Sequence, residues 1–255
     1  GMNLLAIKFR MSWKSYLTAF IIIIGIWWLL ALIISRPALP TPDKAFIEFW
    51  LQLNQGLIFH AWISFYRIFV SLCLALFTAI PLGIILGKNK SLDSVAAPLI
   101  YLTYPIPKIV FLPVLLVLLG YGETSKIFLI TLIVFFQILV TTRDAARGID
   151  QKMVMSVRSL GADSRQIYWH VYFFGCLPEI LTALRIALGT AVAVLFIAET
   201  YATHAGLGYF IMDSMGRIDY SRMFAGIIAM GFLGFILYLL LDLMEKILCR
   251  CRHMA

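Results

Sequence analysis

The sequence predicts an all-α integral membrane protein with six transmembrane helices and a cytoplasmic helical hairpin between spans four and five. Three observations carry that prediction. Of the 255 residues, 62% are apolar and only 13% are charged. That is about half the charge of an ordinary soluble domain and too little to solvate a surface of this size. The charges are clustered, so they leave stretches of about 20 apolar residues, the length that crosses a hydrocarbon layer of about 30 Å. Finally, 21 Lys and Arg stand against 13 Asp and Glu, a formal charge of +8, and they divide unevenly between alternate loops. The same composition excludes disordered, collagen-like and disulfide-scaffold chains. The basic excess is that of loops at a membrane surface, so no nucleic acid is expected as a partner.

The elements follow in order. Gly1 ahead of Met2 reads as a cloning remnant. Span one is about 15–35, uncharged, preceded by Lys8, Arg10 and Lys14 and stopped at Arg36-Pro37. It lacks the small-residue cleavage site of a signal peptide. Thr41-Pro42-Asp43 reads as a helix start. Phe46, Phe49, Trp50 and Leu53 then share one face of a short amphipathic helix expected at the outer surface. Span two, about 60–87, is interrupted only by Arg67. Span three, about 94–119, holds Pro98, Pro105, Pro107, Lys108 and Pro113 and is expected to be broken or kinked. Spans four, five and six are about 125–142, 177–199 and 223–244. The whole chain, 1–255, is expected to be one transmembrane domain.

Six crossings put both termini on one side. That side, with loops 88–92 and 143–185, carries 14 Lys and Arg. The other carries Arg36, Lys44, Lys126, Arg217 and Arg222, and Arg67 and Lys108 lie inside spans. Both termini are therefore expected in the cytoplasm.

The longest cytoplasmic loop holds a hairpin at about 150–174. Its first helix, 151–160, carries Met153, Val154, Val157 and Leu160 on one side. Gly161 is placed where a left-handed stop costs least. Asp163-Ser164-Arg165-Gln166 resembles a capping box opening a second helix, with Ile167, Val171 and Phe174 as its apolar stripe. Such a hairpin is either a plain connector or a rigid docking element for a partner's groove.

Catalytic chemistry is missing. The sequence contains no phosphate-binding glycine loop, no H-E-x-x-H and no G-x-S-x-G. His60, His170, His204 and His253 are scattered, and no metal or resident cofactor is expected. Cys73 and Cys176 read as small hydrophobes. Cys249 and Cys251 read as free thiols, with acylation or metal binding as alternatives. Energy for uphill transport would have to come from a gradient or a partner. Arg67, Lys108 and Glu199 are the charges within or bordering spans, where ionisable groups are costly. Each either fixes helix packing or lines a pathway. Gly83-x-x-x-Gly87 permits close helix packing, though such a pattern is frequent by chance.

A run of segments completes the sequence reading. Tyr104-Pro105-Ile106-Pro107-Lys108-Ile109 leads to Leu112-Pro113, and Arg158-Ser159-Leu160-Gly161-Ala162 follows. Leu177-Pro178-Glu179-Ile180-Leu181-Thr182 and Leu184-Arg185-Ile186-Ala187-Leu188-Gly189 come next, then Ala198-Glu199 and Gly206-Leu207-Gly208-Tyr209. Across 143–208, and more weakly from about 60 to 248, the chain resembles permease subunits of bacterial ATP-binding-cassette importers. The likeness is to the branch handling nitrate, taurine and aliphatic sulfonates. Such permeases carry Glu-Ala-Ala, three residues, Gly, nine residues, Ile, one residue and Leu-Pro. Set on Gly161, those positions hold Met155-Ser156-Val157, Val171 and Phe173-Phe174 here, so the acid and the proline are absent.

The resemblance implies a type I importer permease in a bacterial plasma (inner) membrane, multi-pass, and not itself an enzyme. Its coupling helix would comprise Met155, Ser156, Val157, Arg158, Ser159, Leu160, Gly161, Ala162, Asp163 and Arg165. The implied partners are a second permease copy in a homodimer, two cytoplasmic ATP-binding subunits, an external solute-binding protein and the lipid bilayer. ATP and Mg would be bound by the partner ATPase. The path would run along the dimer interface, lined by spans two to five, with Arg67, Pro105, Pro107, Lys108 and Glu199 as candidate residues. The rival readings are a secondary transporter or channel, which needs an ion-coupling site and repeats, and a membrane enzyme, which needs clustered His or carboxylates.

Overall fold

Apolar stretches joined by capped turns produce a bundle in which every regular element among the described residues is helical. The computed structural model describes residues 13–201 and 203–248, so the expectations for Lys8, Arg10, Cys249, Cys251 and His253 lie outside the described residues. Helix α1 is Trp13–Ile34. Helix α2, Pro42–Gln52, starts as expected with Thr41 as N-cap and Pro42 in its first turn. It ties α1 to the end of the bundle through rings: Trp27 lies 6.3 Å from Phe46, and Phe49 lies 5.7 Å from Phe232. Trp50, expected on the same apolar face, is instead 69% exposed. A π-helical turn, Leu53–Leu57, kinked at Gly56 (φ 111°), leads into α3, Ile58–Lys88.

Span three is broken, as its prolines require. Helix α4, Lys90–Thr103, is capped by the Asn89 side chain, which accepts from the Ser91 and Leu92 amides. After Pro105 and Pro107 the chain makes a 3₁₀ turn, Lys108–Phe111, and resumes as α5, Leu112–Leu119. The two halves are bent by 79°. Among the described residues five helices or merged helices are long and apolar enough to cross a membrane, and the bent pair brings the number to six if it counts as one span.

Helix α6 runs Glu123–Arg147, longer at both ends than the uncharged stretch suggested. Lys126 and Arg143, expected in loops, are corrected to buried positions on α6. Each remains in the helix because its charge is met locally. The Lys126 ammonium donates to the Tyr121 and Gly122 carbonyls at 3.0 and 3.2 Å. Arg143 pairs with Asp93. Arg185, also counted with the loops, lies within α9 and pairs with Glu245 and Asp242 on α11. The hairpin consists of α7, Gln151–Ser159, and α8, Ser164–Gln166. A π-helical segment, Ile167–Phe173, replaces the regular second helix that was expected and leads into α9, Phe174–Thr200. Helix α10, Leu207–Gly216, was not expected at all, and α11 is Tyr220–Leu248.

Helices α3, α6 and α9 form the centre, with Ile68, Leu72, Leu129, Ile130, Val134 and Leu195 among the buried side chains. The Gly83-x-x-x-Gly87 pattern sits where α3 crosses α6. A Cβ on Gly83 would fall 2.7 Å from Thr142 Cβ, and one on Gly87 would meet the Arg143 carbonyl and Ala146. Lipid supplies no hydrophobic drive between helices, so this close backbone approach is what dispersion needs to hold them. A second core ties the hairpin to the ends of α3 and α6 through Ile84, Ala146, Val154, Ile167, Val171 and Tyr172.

Candidate functional site

Three constructions stand out, at the hairpin, at one end of α3, and at the break in span three. The hairpin is built by its caps. The Asp150 side chain accepts from the Lys152 amide at 2.8 Å and opens α7. At the other end Gly161 adopts φ 89°. Its amide donates to the Arg158 carbonyl at 3.0 Å and the Ala162 amide to that of Val157 at 3.4 Å. This is the paired closure of a glycine-stopped helix. The capping box is present: the Gln166 amide donates to Asp163 Oδ1 at 2.6 Å, and the Asp163 amide donates to Gln166 Oε1 at 2.9 Å.

The apolar residues of the hairpin divide differently from the expected stripe. Val154, Ile167 and Val171 are buried. Met153, Phe174 and Leu160 are exposed, Leu160 at 87%, because the hairpin core is closed by the π-helical residues and the ends of α3 and α6. Met155, Ser156, Arg158, Ser159, Gly161, Asp163 and Arg165 are exposed as well, while Val157 and Ala162 are half-buried. The tip therefore exposes Met155 and Leu160 together with Arg158 and Arg165, on a base packed against the ends of α3 and α6.

At the start of α3 a charged network closes on itself. Ser64, Arg67 and Ser71 recur at i, i+3 and i+7, which puts them on one helix face. Arg67 Nη1 donates to Glu199 Oε1 at 2.8 Å, and its Nε and Nη2 donate to Glu123 at 2.6 Å each. Glu199 also accepts from Ser64 Oγ at 2.8 Å and from the Gly208 amide at 2.8 Å. Both Arg67 and Glu199 are fully buried. Gly206 (φ 115°) has no room for a Cβ, which would fall on the Glu199 carboxylate, and its amide donates to His60 Nδ1 at 3.2 Å. The network joins α3, α6, α9 and α10. Its members Glu123 and Ser64 were missed in the sequence, although the i, i+3 spacing of Ser64 and Arg67 marks the face. A second network was also missed: Arg143 and Arg147 converge on Asp93, binding the start of α4 to the end of α6.

The break in span three answers the question of its freed carbonyls from within. The Lys108 ammonium donates to the Thr103 and Tyr104 carbonyls at 2.9 and 2.7 Å. Pro105, Pro107 and Lys108 border an open cavity of about 320 Å³ that is also lined by residues of α6 and α9. The candidates Arg67 and Glu199 do not share this cavity.

A bundle of apolar helices with a capped, protruding hairpin and a proline-broken span defines a multi-span membrane protein. Residues 79–250 match the family described as binding-protein-dependent transport system inner membrane component. The chain belongs to that family. It is 32% identical to the taurine transport system permease protein TauC of Escherichia coli over 88% of this chain and 85% of that one. It is 29% identical to the formylaminopyrimidine transport permease protein ThiX of Halalkalibacterium halodurans, over 90% of this chain and 92% of that one. The fold matches the inward-facing MetNI methionine ABC transporter with a TM-score of 0.65 at 22% identity, covering 75% of this chain and 95% of that chain. The family match and the sequence relatives favour the importer permease over an ion-driven transporter.

Proposed function

We propose that this chain forms the translocation path of an ATP-driven importer for a small organic anion of the sulfonate or taurine kind. It would work as a homodimer with two ATP-binding subunits on the hairpin side and a solute-binding protein on the other. The family match over 79–250 carries the reading. The similarity to a taurine permease supports the substrate class. The uneven Lys and Arg distribution supports termini and hairpin in the cytoplasm.

Coupling then follows from packing. A nucleotide-driven movement of the ATPase cleft would act on Met155, Arg158, Leu160 and Gly161 at the tip. The second core transmits that movement to α3, α6 and α9, because Val154, Ile167 and Tyr172 are packed against Ile84 and Ala146. Interiors at such density shift as bodies rather than deform. Hydrolysis belongs to the partner, and this chain supplies docking and the path.

The test is to reconstitute the permease with its ATPase in nanodiscs and add binding protein loaded with taurine or an alkanesulfonate. Ligand-dependent stimulation of hydrolysis is expected. Uptake that needs no ATPase and follows a proton or sodium gradient would refute the proposal.

A further inference from the structure

The turn between α3 and α4 carries Lys88 and Lys90, and among the described residues neither has an ion-pair partner. Asp93, the acid nearest to them in the chain, is held by Arg143 and Arg147. Asp150 and Asp163 cap the hairpin helices. Lys88 Nζ lies 5.6 Å from the centre of the buried Tyr172 ring, a cation–π contact that positions it. Both lysines, with Ser91 and Tyr168, border an open cavity of about 470 Å³ that is also lined by Ile84 and Ile85. Two uncompensated ammonium groups and two hydroxyls therefore surround one recess with apolar side chains in its wall.

The recess lies at the depth of lipid headgroups. Helix α3 has 31 residues, a length of about 46 Å at 1.5 Å per residue. A bilayer with both headgroup layers measures about 40–45 Å. Lys88 is the last residue of α3 and so ends in one headgroup layer. From the recess both helices run inward with apolar side chains exposed, Leu82 and Ile85 on α3 and Leu92 and Val95 on α4. Tyr168 and the exposed Trp169, on the hairpin side, are residue types that gather at a membrane interface. A cationic rim above exposed apolar surface fits a molecule with an anionic head and apolar tails. The hairpin tip at Arg158 and Leu160 is a different surface, because Tyr168 belongs to the hairpin base packed on the second core.

We infer that this recess is a binding site for the headgroup of an anionic phospholipid. Lys88 and Lys90 meet the phosphate, Ser91 and Tyr168 supply hydroxyls, and the acyl chains run along the exposed apolar side chains of α3 and α4. Basic pockets between spans on the cytoplasmic side are where such headgroups bind. The site is bordered by the end of α3, the first turn of α4 and the base of the hairpin. A bound lipid therefore joins the hairpin to the spans beside the second core. The inference goes beyond the transport reading and does not depend on which solute is carried.

The experiment titrates the detergent-solubilised permease–ATPase complex with phosphatidylglycerol or phosphatidylcholine and counts bound lipids by native mass spectrometry. Wild type should bind phosphatidylglycerol more tightly. A lysine at the membrane surface contributes about fivefold to the binding of an anionic lipid. Lys88→Gln and Lys90→Gln should each lower the preference about fivefold, and the double variant roughly 25-fold by the same scale. Lys152→Gln removes an exposed lysine of α7 that does not border the recess, and should leave the preference unchanged. Millimolar glycerol phosphate, which has the head but no chains, should not displace the lipid. Each variant is checked for an intact complex by size-exclusion chromatography. An unchanged preference in the double variant, or an equal loss in Lys152→Gln, overturns the site. Displacement by glycerol phosphate would make the ligand a soluble phosphate and overturn the lipid assignment. Loss of the ATPase from the double variant with lipid preference intact would give the two lysines to the ATPase instead.

Discussion

Replacing Glu199 with alanine tests whether the network at the start of α3 holds four helices together. The carboxylate is fully buried and accepts from Arg67, Ser64 and the Gly208 amide at 2.8 Å each. Removing it leaves a guanidinium N–H, a hydroxyl and an amide without their acceptor. Breaking a buried ion pair by deleting one partner costs about 3–5 kcal/mol, and an unpaired buried donor costs about 1–3 kcal/mol. Arg67 keeps Glu123, and water can enter the space left behind. Both effects hold the total near 3–5 kcal/mol by the same ion-pair scale. At about 2–4 °C per kcal/mol for a chain of this size, the melting temperature should fall by roughly 6–20 °C. The assay is thermal unfolding of the detergent-solubilised complex followed by fluorescence-detected size-exclusion chromatography. Glu199→Gln, which retains an oxygen acceptor, should fall between the two. Gly206→Ala approaches the same carboxylate from the other side and should also destabilise, because its Cβ has no space. Melting of Glu199→Ala unchanged from wild type would refute the clasp.

Three further outcomes are expected. Gly83→Leu should force α3 away from Thr142 and lower stability by about 1–3 kcal/mol, read as a lower melting temperature; an unshifted melt would mean the crossing is not close. Gly161→Val should insert normally, since the spans do not need this turn, but lose ATPase co-purification and ligand-stimulated hydrolysis, because a side chain disfavours φ 89° by roughly 1–2 kcal/mol. Normal assembly and transport would make the hairpin a plain connector. Single cysteines at Lys90 and Ser164 should label only from the cytoplasm and one at Asp213 only from outside. External labelling of Ser164 in sealed cells would reverse the orientation.

Much of this protein was legible as sequence because bilayer physics leaves few choices. A long apolar stretch in lipid must satisfy its backbone internally, so α1, α3, α6, α9 and α11 follow from long, mostly apolar runs. Local chemistry was equally readable. Pro105 and Pro107 break span three, Gly161 stops α7, and Asp163 with Gln166 caps the next turn, each through contacts within a few residues. Helix ends were less legible, since uncharged stretches stop at the first charge. Lys126 and Arg143 continue α6 because carbonyls or an acid meet them.

Tertiary structure decided the pairings. Arg67, Glu123 and Glu199 are far apart in the chain, and nothing along it says which carboxylate faces which guanidinium until α3, α6 and α9 are assembled. The two glycines of α3 were a common pattern until the backbone of α6 was found against them. Gln137 had no sequence signal at all. Its amide finds Thr190 only once α6 and α9 are neighbours. Periodicity and propensity act over a few residues and are written in the sequence. Burial, charge pairing and cavity shape depend on which helices become neighbours, and only the assembled bundle specifies them.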